Sequence, residues 1–425
     1  MHRLVHFASF LLLVASVGAA AAADWQQFRG PGGQGTSDEK GLPTEWSADK
    51  NIAWKVKLPG AGASCPVTHG NRVFVTCYSG YALEVKNPGK MDDLRRHLLC
   101  LDRATGNVNW SKEFGPVLPE HKYEGEGAYH GYAASTPIIE GDRLYVFFGK
   151  AGVYCFELDG KELWHSVVGK NINGWGSGAS PILYKNYLIV NASVESGALV
   201  ALDKTTGKEV WRSPGISSAW NTPIVVTTPE KMQELVVSIQ NWVVGIDPEN
   251  GKELWRADGV HRYVCPSVVA HDGIVYAIGG GHTSLAVKAG GKGDVTKTHE
   301  VWREDKGSNV GSPIYHDGHV YWASDGGGVV HCQEATTGKM VYSERLKPDA
   351  GQIWASPVLA DGKLYYVSKQ NGVFVVAAKP KFELLAHNVL KGDESRSNAS
   401  LAVSDGQLFL RNDQYLYCIG KGAVR

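Results

Sequence analysis

An internal repeat constrains the fold of this chain more than any other feature of its sequence. A phrase of two small residues, a proline and an apolar residue recurs after a first step of 71 residues and then every 42 to 47 residues. VCPS is a looser copy, and NASL takes the last position. The prolines of the phrase are Pro66, Pro137, Pro181, Pro223, Pro266, Pro313 and Pro357. A fixed period of this length is typical of solenoids and propellers.

One period predicts four strands. Residues 355–378 read ASPVLADGKLYYVSKQNGVFVVAA, where an apolar run meets Asp361-Gly362, a two-residue hairpin signal. A second apolar run meets another turn at Asn371-Gly372, and a third run follows. In other copies a Thr-Gly turn then leads to a strand that carries a tryptophan. A four-stranded antiparallel sheet repeated every ~40–50 residues predicts the blade of a β-propeller.

The two ends of the chain complement each other. The eighth copy stops after residues 398–420 without a tryptophan strand, whereas residues 51–60 carry Trp54 before the first copy begins. We therefore predict an all-β fold, an eight-bladed propeller over residues 51–420, whose last blade is closed by the N-terminal strand. Such closure protects sheet edges from pairing with other chains. Residues 24–50 are predicted as an N-terminal extension and residues 421–425 as a tail.

The first 23 residues have the pattern of a secretory signal peptide. Arg3 precedes an apolar run at residues 7–17, and three alanines at 21–23 fit a cleavage site. Eleven apolar residues are too few to cross ~30 Å of hydrocarbon. We therefore expect a soluble protein without a transmembrane segment, exported to the periplasm or the extracellular space.

The charge balance argues against one class of partner. The chain has 43 basic and 43 acidic side chains, so its formal net charge is zero. Binding of nucleic acid ordinarily needs a basic excess or a basic stripe. We expect no nucleic-acid partner, and we expect the protein to be a monomer.

The seven cysteines follow the repeat. Four of them share one position in the third strand, where a small apolar residue is expected, namely Cys100, Cys155, Cys332 and Cys418. Cys65 and Cys265 share another position, directly before the proline, four blades apart. A bridge between Cys65 and Cys77 across the first hairpin remains open, since export permits disulfides.

The tryptophans of the outer strands also recur at one position. They are Trp54, Trp110, Trp164, Trp211, Trp255 and Trp302. A residue that recurs at one position of a repeat is expected to have a structural role, so we assign these side chains to packing between blades.

The repeated phrase, with its L-x-A/C-L-D-x-x-T-G-K-x-x-W continuation, resembles the PQQ-like β-propeller repeat, named for pyrroloquinoline quinone. The opening DWQQFRGPGGQGTS is similar to the start of secreted propellers of planctomycete-type bacteria. The resemblance implies one of two functional types: dehydrogenases that bind PQQ and calcium, or non-enzymatic scaffolds such as BamB. The chain departs from the first type because it has no adjacent cysteine pair and no recognisable calcium ligands, and from BamB because it lacks the lipid-modified cysteine.

Propeller ligands bind at the face where the loops between blades meet the loops between second and third strands. Trp220, Tyr263 and Trp354 stand three residues before their prolines at this face, where other blades have small or polar residues. The predicted funnel-mouth residues are Tyr132, Trp175, Trp220, Arg262, Tyr263, Trp354 and Arg396. Aromatic faces beside polar groups can hold rings or sugars. The alternative is that these side chains only fill the space at the propeller axis and pack between the blades.

Two functions therefore remain open. The first is an exported, non-catalytic propeller that recognises a protein or a glycan through its funnel face. The second is a PQQ- and calcium-dependent dehydrogenase of alcohols or sugars. The sequence assigns no catalytic residue and no metal ligand.

Overall fold

The computed structural model describes residues 24–84, 86–122 and 130–421. The predicted signal peptide and residues 422–425 of the predicted tail lie outside the described residues. The described chain forms eight sheets, each with four antiparallel strands that follow one another from the axis outward. The prediction of an all-β, eight-bladed propeller is confirmed.

The strands of the first four blades have the following bounds. Blade 1 consists of Val67–His69, Arg72–Ser79, Arg95–Asp102 and Val108–Phe114. Blade 2 consists of Ile138–Glu140, Arg143–Phe147, Val153–Glu157 and Glu162–Ser166. Blade 3 consists of Ile182–Tyr184, Tyr187–Ala192, Ala198–Asp203 and Glu209–Pro214. Blade 4 consists of Ile224–Thr227, Gln233–Ile239, Trp242–Ile246 and Glu253–Asp258, with Gly293–Asp294 added in parallel at its outer edge.

The other blades continue around the ring. Blade 5 consists of Val269–His271, Ile274–Gly279, Thr283–Lys288 and Glu300–Glu304. Blade 6 consists of Ile314–His316, His319–Ala323, Val329–Glu334 and Met340–Arg345. Blade 7 consists of Val358–Ala360, Lys363–Val367, Val373–Ala377 and Leu384–Asn388, with Thr36–Ser37 added in parallel at its inner edge. Blade 8 consists of Ala402–Ser404, Gln407–Arg411, Tyr415–Ile419 and Ile52–Lys57. Short helical segments occur at Pro31–Gly33, Met91–Asp93, Gly149–Ala151, Ser193–Ser196 and Thr296–His299.

The burial of each strand follows its distance from the axis. The second and third strands are buried along almost their whole length, because both of their faces pack against neighbouring blades. The fourth strand alternates, as in Glu209–Pro214, where only Trp211 and Ser213 are buried. This difference in burial explains why the sequences of the middle strands are continuous apolar runs, whereas those of the outer strands alternate between apolar and polar residues.

The N-terminal strand is the outer strand of blade 8. Ile52–Lys57 pairs antiparallel with Tyr415–Ile419, and Trp54 lies opposite Cys418. Residues close to both ends of the described chain therefore share one sheet.

Most outer-strand tryptophans join their blade to the next one through the turn between its third and fourth strands. The indole Nε1 donates a hydrogen bond of 2.8 to 3.2 Å to a main-chain oxygen of that turn. The pairs are Trp54 with Arg103, Trp110 with Leu158, Trp164 with Lys204, Trp211 with Pro248, and Trp302 with Ala335. A glycine in the same turn leaves room for the ring: a Cβ at Gly251 would lie 2.5 Å from Trp211. These contacts agree with a packing role between blades.

Trp255 of blade 4 makes a different contact. Its Nε1 donates to Glu234 Oε2 of its own blade at 2.7 Å. Opposite it stands Gly245, whose missing Cβ leaves the space that the indole ring fills. Trp255 is completely buried, in a hydrophobic cluster that includes residues of blade 5.

A ring of side chains, which we call the hydroxyl ring, joins the blades close to the axis. Each member lies two residues before its first strand: Cys65, Thr136, Ser180, Thr222, Ser267, Ser312, Ser356 and Ser400. At six junctions, from Cys65 to Ser356, the main-chain N–H of one member donates to the hydroxyl of the next at 2.9 to 3.0 Å. The recurring small residue of the repeat phrase is thus a hydrogen-bonding position.

In blade 5 the proline is displaced by two residues relative to the rest of the repeat. Its ring member, Ser267, follows Pro266, whereas in the other proline-bearing blades the ring member precedes the proline. Cys265 therefore takes the position that tryptophans occupy in blades 4 and 7, and Tyr263 lies two residues earlier. The predictions that Tyr263 shares the tryptophan position and that Cys265 shares that of Cys65 are wrong. Both positions were counted back from the proline, and in blade 5 the proline lies earlier in the repeat than in the other blades.

All seven cysteines are free, including Cys65 and Cys77. Burial raises the pKa of the Cys77 thiol to about 11. The four third-strand cysteines are buried, as expected of small apolar residues.

The N-terminal extension crosses the axis on the face opposite the funnel, where the hairpins between first and second strands lie. It hydrogen-bonds blade 1 through Trp25, whose N–H donates to Thr68 Oγ1, and it hydrogen-bonds blade 7 through Gly35, whose oxygen accepts from the Leu359 N–H. Arg29 is 1% exposed and donates to the main-chain oxygens of Gly33, Gln34 and Pro313. The extension is therefore an ordered part of the propeller.

Candidate functional site

The loops that lead into the first strands surround a cavity of about 180 Å³. Each of the eight blades contributes the residue two positions before its member of the hydroxyl ring. These residues are Ala63, Ala134, Gly178, Trp220, Cys265, Val310, Trp354 and Asn398. Phe28 also lines the cavity, and because it belongs to the extension on the opposite face, it limits the depth of the cavity. Contributions from all eight blades place the cavity on the propeller axis.

Three of the predicted aromatic residues form one cluster in the cavity wall. The ring centroid of Trp175 lies 5.4 Å from that of Trp220 and 4.4 Å from that of Tyr263. Tyr263 meets both tryptophans edge to face, at 83° and 89°. All three side chains are half-buried and line the cavity. We call these residues the aromatic wall.

Local hydrogen bonds hold the aromatic wall in place. The indole Nε1 of Trp220 donates to the Gly176 oxygen at 2.7 Å, which ties blade 4 to the loop that carries Trp175. The main-chain N–H of Trp220 donates to the Val264 oxygen at 2.7 Å, which ties it to the loop of Tyr263. The wall is thus fixed by the backbone of three consecutive loops rather than by loose side-chain contacts.

Trp354 lines the same cavity from blade 7. The Nζ of Lys369 lies 3.5 Å from the centroid of its ring and donates to Gln352 Oε1 at 3.1 Å. A cation at this distance from an indole face is attracted by the ring quadrupole. Lys369 therefore contacts the indole by which blade 7 lines the cavity.

Tyr132 lies elsewhere, beside an insertion at residues 115–130 that leads from the last strand of blade 1 into blade 2. It is 5% exposed, stacks on His121 with centroids 4.2 Å apart, and donates its hydroxyl to the His121 oxygen at 2.7 Å. The buried ion pair of Arg96 and Glu120, 2.8 Å long, lies next to it. Residues 123–129 of the insertion lie outside the described residues. Tyr132 does not line the axial cavity.

The two predicted arginines also lie outside the cavity lining. Arg262 is exposed, and Arg396 donates its Nε to Asp413 Oδ2 at 2.9 Å. Burial raises the pKa of Asp413, and Arg396 opposes that shift. The geometry thus brings together Trp175, Trp220 and Tyr263, adds Trp354 to the same cavity, and separates the other three predicted residues from it.

Several lining residues were not foreseen from the sequence. Six members of the hydroxyl ring, those of blade 1 and of blades 4 to 8, line the cavity, as do Asn221 and His130. The repeated small residue before the proline was a visible signal for the ring. The repeat gives no indication that Phe28 lines the cavity, because this residue belongs to the N-terminal extension.

The described lining residues carry no charge near neutral pH. They include no lysine, arginine, aspartate or glutamate, and burial lowers the pKa of His130 to about 4. Among the described residues no group of three histidine, cysteine or carboxylate side chains could hold a metal ion. PQQ carries three carboxylates, and calcium prefers carboxylate and carbonyl oxygens. The described lining does not fit PQQ with calcium.

A buried carboxyl group lies outside the cavity, in the loop between the second and third strands of blade 3. Glu195 is 2% exposed and accepts a hydrogen bond from Ser177 Oγ. Burial raises its pKa to about 7, and the bond from Ser177 opposes the shift. A buried acid with a raised pKa prefers the protonated state, so it opposes folding when it must ionise.

We expect Glu195→Gln to stabilise the protein at pH 8 and to have little effect near pH 4. Because the folded-state pKa is raised above the unfolded one, the unfolded state binds fewer protons between pH ~4.5 and ~7, and stability falls as pH rises through that window. The difference in unfolding free energy between variant and parent should grow by roughly 3 kcal/mol across it. Urea denaturation at several pH values measures this, with Glu344→Gln at an exposed position as control. A pH-independent difference would contradict the assignment.

Comparisons with known proteins agree with the observed fold. A family model described as outer membrane protein assembly factor BamB matches residues 47–225 and 239–414, which is most of the chain. A search of curated proteins finds no match. No helix in the described part of the chain is long and apolar enough to cross a membrane.

Solved structures superpose on the propeller at low identity. A quinohemoprotein alcohol dehydrogenase from Pseudomonas putida HK5 gives a TM-score of 0.61 at 10% identity over 95% of this chain and 81% of its own. The computationally designed Ika8 protein gives 0.59 at 14% identity over 87% and 100%. A europium-containing methanol dehydrogenase gives 0.54 at 12% identity over 94% and 98%. At these identities the likeness shows the fold alone.

Proposed function

The chain belongs to the family of the outer membrane protein assembly factor BamB, and from that premise we propose that it is an exported, non-catalytic binding protein. Its funnel face recognises a protein or a glycan. The axial cavity carries the proposal: it is lined by aromatic faces and neutral polar groups, held by main-chain hydrogen bonds. Concave sites that are mostly apolar with a few placed polar groups are typical ligand sites.

Three further parts of the proposal rest on the sequence and the family. Export depends on residues 1–23, and the final compartment is the periplasm or the extracellular space. The family's description names a protein of the outer membrane assembly machinery, which favours a binding role over a catalytic one. We propose that the protein acts as a monomer, and sedimentation of the purified protein tests that.

Binding through the funnel can be tested without knowledge of the natural ligand. Arrays of aromatic peptides and of glycans are probed with the parent and with Trp175→Ala/Trp220→Ala, which removes two rings of the aromatic wall. Trp242→Ala is the control, because Trp242 is also half-buried but lies outside the cavity. We expect the parent and the control to bind the same probes and the double variant to bind them at least tenfold more weakly. Identical array profiles for all three proteins would refute binding through the funnel.

Dehydrogenase activity is tested separately. The purified protein is incubated with PQQ and calcium, and dye reduction is measured with simple alcohols and sugars. We expect no reduction above that of the cofactor alone, because the described lining offers neither cations for the carboxylates of PQQ nor ligands for calcium. Substrate-dependent reduction that is lost on removal of calcium would overturn the proposed non-catalytic role.

A further inference from the structure

The shape of the aromatic wall suggests what kind of group it holds. Trp175, Trp220 and Tyr263 come from three consecutive loops, and their centroids lie 4.4 to 6.3 Å apart. All three remain half-buried, as the interblade tryptophans Trp110 and Trp164 also are, and Trp175 and Trp220 line the axial cavity. A ring that contacts these two indoles from the cavity would bury apolar surface that the described residues leave exposed.

The size of the cavity fits one ring. A cavity of about 150 Å³ lined by apolar side chains holds benzene, and the axial cavity has about 180 Å³. Phe28 limits its depth from the opposite face, so a chain of rings cannot pass through the axis. The cavity therefore accommodates one six-membered ring with its substituents, with the rest of the ligand outside the mouth.

Asn221 supplies an acceptor that lacks a donor. It is 2% exposed and lines the cavity, and its Nδ2 donates to the Ser238 oxygen at 2.6 Å. Its Oδ1 is buried and has no hydrogen-bond partner among the described residues. A buried acceptor without a donor is unfavourable, and a ligand hydroxyl would satisfy it.

The hydroxyl ring supplies donors beside that acceptor. The hydroxyl oxygens of Ser267, Ser312 and Ser356 each accept a main-chain N–H from the preceding blade at 2.9 to 3.0 Å. A hydroxyl that accepts one such bond keeps its own proton for donation. All three residues line the cavity, as Asn221 does, so the lining offers three hydroxyl donors and one acceptor in addition to its aromatic side chains.

We propose that the axial cavity binds one uncharged pyranose ring of a glycan, with a C–H face of the sugar on Trp175 and Trp220 and its hydroxyls toward Asn221 and the hydroxyl ring. This inference rests on the proposed function and names the ligand class of the same site. A phenylalanine side chain would cover the wall but leave Asn221 Oδ1 unsatisfied. A uronic acid would bring a carboxylate against described lining residues that include no lysine or arginine, at a large desolvation cost.

The test uses calorimetric titration of defined oligosaccharides. The neutral probes are β-1,4-glucose, α-1,4-glucose, β-1,4-mannose and β-1,4-N-acetylglucosamine hexamers, and the charged probe is an α-1,4-galacturonate hexamer. Peptides containing phenylalanine or tyrosine form the third class. We expect at least one neutral hexamer to bind and the galacturonate to bind at least tenfold more weakly.

The variants locate the binding. Trp220→Ala should weaken binding of the neutral hexamer by about fivefold to tenfold, the size expected for one aromatic contact. Trp220→Phe should recover most of that loss, and Trp242→Ala should bind like the parent, with circular dichroism as a check of folding. Equal loss in Trp220→Ala and Trp242→Ala would refute the assignment to the aromatic wall.

The remaining outcomes separate this inference from the proposed function. If only aromatic peptides bind, and Trp220→Ala weakens them, the saccharide inference is wrong while binding through the funnel stands. If the galacturonate binds as tightly as every neutral hexamer, the requirement for an uncharged ring is wrong. If no probe of any class binds in a manner that depends on Trp220, both proposals fail.

Discussion

A protein that lacks residues 24–60 should aggregate, whereas one that lacks only residues 24–46 should remain monomeric but lose stability. The longer deletion removes the closing strand Ile52–Lys57 and leaves the edge of Tyr415–Ile419 without its partner. An unpaired strand edge is a template for pairing with other chains. Light scattering coupled to size-exclusion chromatography distinguishes the two proteins.

The shorter deletion isolates the contribution of the N-terminal extension. It removes the buried side chains of Trp25, Leu42 and Trp46 and the hydrogen bonds of Arg29 to three main-chain oxygens. Each large buried side chain contributes a few kcal/mol, so we expect the unfolding free energy to fall by about 5 kcal/mol or more. A monomeric protein with an unchanged denaturation midpoint after the longer deletion would contradict the role of the closing strand and of the extension together.

The blades could be predicted because their signals are local. Apolar runs separated by Asp-Gly turns have the period of antiparallel strands, and Asp361-Gly362 does adopt positive φ at both residues, at 52° and 68°. Five of the six outer tryptophans, all except Trp255, hydrogen-bond the same turn of the next blade, which explains why they recur. Because the repeat phrase occurs eight times, the fold can be recognised even when one copy is incomplete, as in the last blade.

The extension could not be predicted in the same way. Its sequence, rich in glycine, has no apolar period, and its partners lie up to 367 residues away, as with Glu39 and Gly406. Many of its contacts are to main-chain atoms, which leave no mark in the sequence. Phe28 in the cavity follows from that path and is therefore invisible to repeat analysis.

The candidate site was predicted in part, for reasons that the structure makes clear. Trp175, Trp220 and Tyr263 meet because consecutive blades present consecutive loops at one side of the funnel. Tyr263 lines the cavity although it does not occupy the tryptophan position of the repeat, because both Tyr263 and Cys265 reach the cavity. Tyr132 is buried beside His121, which belongs to the insertion at residues 115–130, and a repeat position carries no information about an insertion.

Trp211→Ala should be among the most destabilising single substitutions in the propeller and should leave ligand binding unchanged. The indole of Trp211 is buried between blades 3 and 4, and its Nε1 donates to the Pro248 oxygen at 3.1 Å. Loss of a buried tryptophan costs about 3–5 kcal/mol through lost burial and the cavity left behind. Chemical denaturation measures the loss, and Trp242→Ala provides a half-buried tryptophan of the adjoining blade for comparison.

A double-mutant cycle identifies the cause of that loss. Gly251 has a φ of 73°, and a Cβ there would lie 2.5 Å from Trp211; Gly362 has a φ of 68° with open space around it. Gly251→Ala and Gly362→Ala should therefore share a backbone cost of roughly 1–2 kcal/mol, and Gly251→Ala should cost more because the indole must move. In the Trp211→Ala background the two glycine substitutions should become equivalent. If Gly251→Ala keeps its full excess there, the docking of the indole on the turn of the next blade does not explain why the tryptophan recurs.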